Sequence, residues 1–370
     1  MHFAGLDVSV ETTAISVIDD KGVQRLSAEV PTDPGAIEQA LKPFRDRLKR
    51  VGHEAGALAP WLEPELLRRG LPVVCLEARH VRAALNAQRN KTDATDALGI
   101  AHILRTGWFK RAHIKSEQNY RLRLVLIQRR NLKRKFIDIE NTIRHSLKAF
   151  GIRLGRISRG KFDAKVRELV ADHPLTKRLM ESMLHVRTVM WEEYCSLHKL
   201  VLALVQQNET CRRFMEIPGI GPVAALAFFT GLDDPTRFHR SRDVGAYFGL
   251  TSRRWQSGTS IDVQGHISKR GDADVRRSLY EAAHIMLTRY KGDSQLKRWG
   301  EKLAKTKGLK KATVAVARKL AVIMFVIWRD GTFYETGVAE NAEAKAKRTT
   351  GKAYKNFVGL EASDMDPAMA

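Results

Sequence analysis

The opening stretch leaves few folds open: an apolar segment, Phe3-Ala-Gly-Leu-Asp7-Val-Ser, is followed by a second, Thr13-Ala-Ile-Ser-Val-Ile18, and then by the turn Asp19-Asp-Lys-Gly22. Short runs of this kind bounded by a glycine turn predict a β-hairpin that carries Asp7 on its first strand. Gln24–Val30 can add a third strand, Ala36–Arg50 a helix, Pro60–Arg69 another, and Leu71–Leu76 a buried strand. An antiparallel hairpin followed by alternating helices and strands is the order of a ribonuclease-H-like α/β fold.

Four carboxylates occupy telling places in this plan. Asp7 closes an apolar strand, Glu54 stands in Val51-Gly-His-Glu54-Ala-Gly56 at a strand-to-helix junction, and Asp93 and Asp96 lie in Asn90-Lys-Thr-Asp93-Ala-Thr-Asp96-Ala-Leu. The last run predicts a helix, on which residues three apart share a face and can converge on one ion. Clustered carboxylates repel one another unless a cation neutralises them. Hard oxygen ligands favour Mg²⁺ or Mn²⁺, and two such ions about 4 Å apart can stabilise both the attacking and the leaving oxygen of phosphoryl transfer. Asp19, Asp20, Glu63 and Glu65 read as ordinary surface acids, and an Asp-x-x-Asp pair on a helix is by itself usually only solvated.

The charge balance indicates the partner. The 370 residues include 64 Lys and Arg against 41 Asp and Glu, a formal net charge of +23, so an acidic polymer is the expected ligand and nucleic acid the leading one. A membrane surface is disfavoured. Met1-His-Phe-Ala-Gly-Leu-Asp7 lacks the order of a signal peptide, and the apolar run Leu320–Trp328 is too short to span and reads as a buried helix. Cys75, Cys195 and Cys211 have no metal-ligand spacing and an odd count, which speaks for a reducing cytoplasm; Cys75 reads as plain core.

A chain of this length predicts several domains. Residues 1–112 form the α/β domain, and a basic helical segment over 113–210 follows. There Leu132, Phe136, Ile139, Ile143, Leu147 and Phe150 step by threes and fours, while Arg129, Arg130, Lys133, Arg134 and Lys135 take the rest of the surface. After the break at Gly151–Gly160, Leu179, Met183, Val186, Met190, Leu197, Val201 and Leu204 form a second, heptad-like series. The two helices can pair as an antiparallel coiled coil, either as a hairpin within one chain or as a dimer arm. Such Lys/Arg clusters favour contact with a nucleic-acid backbone without reading its sequence.

A mainly helical domain is expected over 211–334, and a polar, basic tail, expected to be disordered, over 335–370. Ile217-Pro-Gly-Ile-Gly221-Pro resembles the turn of a helix-hairpin-helix, in which Gly219 and Gly221 would let backbone N–H groups approach a phosphate, although a glycine turn between helices can also be mere geometry. Downstream lie Ser257-Gly258 among cations and Ile267-Ser-Lys269-Arg270-Gly271, followed by Val275-Arg276. A serine beside glycine in a basic loop can attack a phosphodiester if something takes its proton and stabilises the leaving group; more commonly Ser-Gly only makes a turn.

Taken in order, Asp7, Glu54, Asp93-x-x-Asp96, Pro218-Gly-Ile-Gly221, Ser257-Gly258, Ile267–Gly271 and Val275-Arg276 resemble the DEDD transposases of the IS110 insertion-sequence family, over about residues 1 to 334. That resemblance implies a RuvC-like, ribonuclease-H-type domain, a coiled-coil segment and a C-terminal transposase domain. It implies a site-specific DNA recombinase whose Asp7, Glu54, Asp93 and Asp96 bind Mg²⁺, with Mn²⁺ a possible substitute, while Ser257 attacks DNA to form a 5′-phosphoserine link. It also implies DNA partners at element ends and target, a guide noncoding RNA encoded in the element, a dimer or tetramer on DNA, and a place at the bacterial nucleoid. Lys269, Arg270 and Arg276 become phosphate-binding or loop-anchoring residues. The chain departs from the family at His53-Glu54-Ala-Gly, where Thr-Gly more commonly follows the glutamate, and Ser252, Ser260 and Ser268 compete with Ser257. Two other classes stay open: a metal-only nuclease such as a junction resolvase, and a nucleic-acid-binding protein without catalysis. A metabolite kinase would need more phosphate-loop glycines than Asp7-Val-Ser-Val-Glu supplies.

Overall fold

The first apolar run forms β1 (His2–Val8) and pairs antiparallel with β2 (Thr12–Asp19), Gly5 standing opposite Ser16. This arrangement comes from a computed structural model that describes residues 1–86, 90–258 and 261–337. β3 (Gln24–Pro31) extends the hairpin, and α1 (Pro34–Leu41), capped by Asp33, leads toward β4 (Leu48–Glu54). β4 lies parallel to β1, and after α2 (Ala59–Arg68), β5 (Val73–Leu76) lies parallel to β4. The sheet order is β3-β2-β1-β4-β5, three antiparallel strands continued by two parallel ones. That is the ribonuclease-H arrangement expected from the order of the segments. α3 (Ala78–Leu85) and α4 (Asp93–Thr106) complete this unit.

The sheet is covered on both faces. Leu6, Ile15, Val17, Val51 and Val73 meet Ile37, Leu62 and Leu66 of α1 and α2 on one side. On the other, Phe3, Ile18, Val74 and Leu76 meet Ile100, Ala101, Ile103 and Leu104 of α4. Gly5 and Gly52 let α4 lie this close. A Cβ at Gly5 would overlap the Ala97 carbonyl oxygen and the Ala101 amide nitrogen, and one at Gly52 would stand 2.8 Å from both Leu104 methyl groups.

Two expectations for this unit need correction. The helix read over Ala36–Arg50 stops at Leu41, because Pro43 has no N–H for the next helical hydrogen bond; Lys42–Arg47 winds on as a 3₁₀ segment, and Leu48 already belongs to β4. Asp19 is buried rather than a surface acid. Its carboxylate accepts from the amides of Lys21 and Val23, both at 2.9 Å, and from the Arg25 guanidinium at 2.7 Å, which pins the hairpin turn.

The residues divide into two compact units, Met1–Glu117 and Gln118 onward. The second opens with α5 (Glu117–Lys148), α6 (Arg159–Leu169) and α7 (Pro174–Gln207). α5 and α7 run antiparallel: Arg129 meets Tyr194 and His198, Phe136 meets Trp191, and Glu140 meets Arg187. The buried face of α7 is Met180, Leu184, Arg187, Tyr194, Val201 and Val205, which shares Val201 with the apolar series read from the sequence and otherwise lies mostly one step beyond it. Leu179, expected on the seam, is 55% exposed, and Val186 faces outward too. Arg187 explains the shift, since its buried guanidinium bonds Glu140 and Asp163, each at 2.7 Å, and lies over Phe136 and Phe162. An arginine so paired and stacked occupies a core position that an apolar pattern assigns elsewhere.

The chain then continues through α8 (Glu209–Met215), α9 (Pro222–Leu232), α10 (Arg242–Tyr247), the hairpin β6 (Ser252–Ser257) and β7 (Ile261–Ile267), α11 (Ala273–Thr288), α12 (Gln295–Lys307) and α13 (Leu309–Asp330). Leu320, Ala321, Met324, Phe325 and Ile327 of α13 sit in the same core as Phe214, Phe228, Phe248 and Leu279. The apolar run is therefore a buried helix, and among the described residues no helix is long and apolar enough to cross a membrane. Of the disordered tail expected over 335–370, Thr336 is instead buried, its carbonyl accepting from the Gln295 amide at 3.0 Å, and the part beyond Gly337 lies outside the described residues.

Candidate active site and nucleic-acid interface

Parallel strands place side chains at their carboxyl ends, and here β1 and β4 end side by side. Their register pairs Leu6 with His53, so Asp7 and Glu54 follow one step later on neighbouring strands. α4 brings the other two acids. Thr92 caps it with a reciprocal pair of hydrogen bonds to Thr95, which starts the helix at Asp93 and puts Asp93 and Asp96 in its first turn. Contact through Gly5 then seats that turn over the end of β1.

Asp7 senses the other three acids. Burial, then the charges of Asp93, Asp96 and Glu54, push the Asp7 carboxyl up from 3.8 to about 6. Burial also raises Glu54, with Asp96 adding to the rise and Arg82 and Lys91 opposing it. Asp96 is buried, and its Oδ1 has no hydrogen-bond partner; Lys91 Nζ stands 3.7 Å from its Oδ2. Glu54, Arg82, Leu85, Asn86, Lys91 and Asp96 line a cavity of about 320 Å³. Mutually repelling carboxylates with an orphaned buried oxygen suit a hard cation, which would lower their electrostatic cost and take oxygen ligands.

In the second unit, Ser257 is the last residue of β6, exposed, and paired with Ile261 across the hairpin. Gly258 follows at φ +56°, a backbone region that favours glycine. The surroundings are a strand end rather than the basic loop expected. Arg254 forms a two-pronged pair with Asp262 at 2.7 and 2.8 Å, and Arg253 donates to the Ser268 carbonyl at 3.2 Å. Ser252 opens the same strand, while Ser260 lies outside the described residues.

The glycine turn has a packing reason of its own. Gly219 has φ +88°, and a Cβ there would overlap the Ala282 carbonyl oxygen of α11. Gly221 precedes α9 and faces open space. The Ser268–Gly271 loop is held from below. Arg276 donates from Nη1 to the carbonyls of Phe248, Arg270 and Asp272 at 3.0, 3.1 and 3.3 Å, so in this structure it anchors the loop. The side chains of Lys269 and Arg270 are exposed, and Lys269 adopts φ +53°.

The basic residues of α5 separate into two groups. Arg129 is only 9% exposed; it donates to the Tyr194 hydroxyl at 2.6 Å and to His198 Nδ1 at 3.2 Å, which removes it from the solvent-facing set expected. Burial and the neighbouring Arg129 and Lys133 charges push the His198 imidazole down to about 4, leaving it neutral as an acceptor. Arg130, Lys133 and Arg134 line a cleft of about 760 Å³ with Arg123 and Arg277, the last from α11. Arg123 pairs with Asp272 and Arg130 with Asp274, tying α5 to the start of α11. Arg123 and Arg277, unlike the clustered cations of α5, could not be assigned to this cleft without the packing of α5 on α11.

Fold and carboxylates together define the class: a ribonuclease-H-like protein with an Asp-Glu-Asp-Asp site that implies a divalent metal. A model described as transposase, for the DEDD type of IS110, matches residues 4–152, and one described as transposase of the IS116/IS110/IS902 family matches residues 211–299. The chain is 27% identical to the transposase for insertion sequence element IS1111A of Coxiella burnetii, covering 72% of this chain and 74% of that one. It is 27% identical to the transposase for element IS1328 of Yersinia enterocolitica, over 77% and 85%, and 25% identical to a pilin gene-inverting protein of Moraxella bovis, over 70% and 73%. The solved structure of T. thermophilus RuvC with a Holliday junction substrate matches at TM-score 0.22 and 17% identity, over 30% of this chain and 99% of that one; the strand order, not this likeness, carries the fold. The chain belongs to the IS116/IS110/IS902 family of transposases, enzymes that cut and join DNA.

Proposed function

We propose that this transposase is a site-specific DNA recombinase in which Asp7, Glu54, Asp93 and Asp96 hold Mg²⁺ and Ser257 is the nucleophile. The observation that carries the reading is the convergence of the four acids, two from the ends of β1 and β4 and two from the first turn of α4, with Asp7 raised to about 6 by burial and by the charges of the other three. When bound, a divalent ion supplies Lewis-acid stabilisation of the phosphodiester oxygens in the transition state. Ser257 Oγ gives up its proton and bonds to phosphorus, the bond from phosphorus to the 3′ oxygen breaks, and that oxygen takes a proton. The product is a 5′-phosphoserine link that keeps the energy of the broken bond for rejoining. The exposed position of Ser257 at a hairpin tip, beside Gly258, supports access to a DNA backbone.

DNA at element ends and target is the substrate in this reading, and an element-encoded noncoding RNA guides the choice. Arg130, Lys133 and Arg134, with Lys269 and Arg270, supply backbone contacts, and Gly219 and Gly221 shape the turn before α9. The antiparallel α5–α7 pair acts as a coiled-coil arm of a dimer or tetramer assembled on the nucleoid DNA. The domains follow the segments 1–112, 113–210 and 211–334. The test is cleavage of element-end DNA by the full chain in Mg²⁺. Asp96→Asn is expected to abolish it, and undiminished cleavage by that variant would remove the carboxylates from the mechanism.

A further inference from the structure

Beneath Glu54, on the opposite face of the sheet, three residues of different chemistry meet. His53 of β4 and Cys75 of β5 are direct cross-strand partners, and Glu63 reaches them from α2. Their ligand atoms all lie within 4.8 Å of one another. Strand alternation puts His53 and Cys75 on the side of Val51 and Val73, against α2, whereas Glu54 faces α4 with Gly52. The cluster is therefore separate from the four-carboxylate site.

The hydrogen bonds around it are incomplete in an informative way. His53 is 1% exposed, and its Nδ1 stands 3.1 Å from the Glu54 carbonyl oxygen. A carbonyl can only accept, so Nδ1 carries the proton and a neutral ring presents a lone pair at Nε2. That nitrogen has no hydrogen-bond partner and neither has Glu63 Oε2, although they face each other at 3.8 Å. Two buried acceptors aimed at one another are costly unless something positive lies between them. Glu63, expected to be an ordinary surface acid, has a side chain only 17% exposed.

We infer that His53 Nε2, the Glu63 carboxylate and the Cys75 thiolate form a binding site for a borderline-soft divalent ion of the Zn²⁺ type. Zn–N and Zn–O bonds of about 2.0–2.2 Å place such a pair of tetrahedral ligands roughly 3.3–3.6 Å apart, so Nε2 and Oε2, at 3.8 Å, need to draw only slightly closer to share an ion. The ion takes Cys75 as thiolate, and the thiol proton leaves to solvent. The carbonyl that orients His53 belongs to Glu54, the arrangement by which an outer hydrogen bond fixes a metal-bound imidazole. Metal on this face would clamp β4, β5 and α2 together and so hold the strand end that presents Glu54. Hard Mg²⁺ prefers the all-oxygen site, so the two sites select different ions.

The test is titration of the full-length, chelator-stripped protein with Co²⁺ as the probe, followed by absorption. One equivalent is expected to give tetrahedral d–d bands and a thiolate charge-transfer band that survive excess Mg²⁺ and the substitution Asp7→Asn. The charge-transfer band is expected to vanish in Cys75→Ser, and binding to weaken by about tenfold or more in Glu63→Gln, which keeps the size of the side chain. A wild-type protein that binds Co²⁺ without the thiolate band, or a band unchanged in both variants, would overturn the assignment. Cys195 and Cys211 provide the internal control, because their replacement should leave the spectrum intact.

Discussion

Asp7→Asn keeps the side chain's volume and removes one charge from the four-acid cluster, so its effect separates stability from function. Asp7 is ordinarily ionised above 3.8, and in the folded chain its carboxyl is pushed up to about 6. Between those values the native state holds the proton more tightly than the unfolded chain, so without metal stability falls as pH rises through this window and stays lowered above it. A rise of this size corresponds to about 3 kcal/mol at full weight, and because Asp7 is half open to solvent, screening reduces it to about 1 kcal/mol. At pH 7.5 in EDTA, asparagine lifts that penalty. Amide hydrogen exchange in β1 and α4 of the full chain is then expected to slow by about fivefold relative to wild type. Added Mg²⁺ should protect the wild-type segments and leave the variant nearly unchanged. Faster exchange in the variant in EDTA, or equal protection of both proteins by Mg²⁺, would refute the electrostatic reading.

Other perturbations probe the scaffold. Gly5→Ala forces a methyl group against the α4 backbone and is expected to cost about 1–3 kcal/mol in urea unfolding while weakening Mn²⁺ binding, since Asp93 and Asp96 ride on α4. Arg187→Ala leaves Glu140 and Asp163 without their buried partner and should destabilise the second unit by about 3–5 kcal/mol, read by denaturant midpoint; Arg187→Lys should not restore it, because lysine cannot bond both acids and stack on Phe136. Arg134→Ala should reduce the salt dependence of nucleic-acid binding by about one unit of slope, whereas Arg129→Ala should act through lost folding stability.

β1, β2 and β5 were legible because each is a short apolar run, with Asp7 near the end of the first, and Glu54 was legible as the close of Val51-Gly-His-Glu54. α4 was legible from the spacing of Asp93 and Asp96, whereas its cap, Thr92, was a signal that was not used. Gly5 and Gly52 carried a signal that was not used: glycine inside a strand marks a close backbone approach, here that of α4. The start of β4 was hidden by the polar Leu48-Lys-Arg sequence, although Pro43 marked the end of the helix before it. The phase of α7 misled because its seam holds Arg187, Tyr194 and His198, whose burial depends on partners contributed by α5 and α6. Glu63 could not be read as buried from α2 alone, since its surroundings come from β4 and β5, distant in the chain. The lone-looking Cys75 fails every spacing rule for a metal ligand for the same reason, its partners being a strand neighbour and a facing helix.

A covalent trap addresses the central claim, that carboxylates and serine act together. Full-length protein is incubated with labelled element-end or junction DNA, Mg²⁺ and RNA from the flanking noncoding region, then denatured and resolved for DNA attached to protein. The account predicts a conjugate in the wild type that disappears in Ser257→Ala and in Asp96→Asn. Cut DNA with free ends and no conjugate, or a conjugate that survives Ser257→Ala, would contradict it.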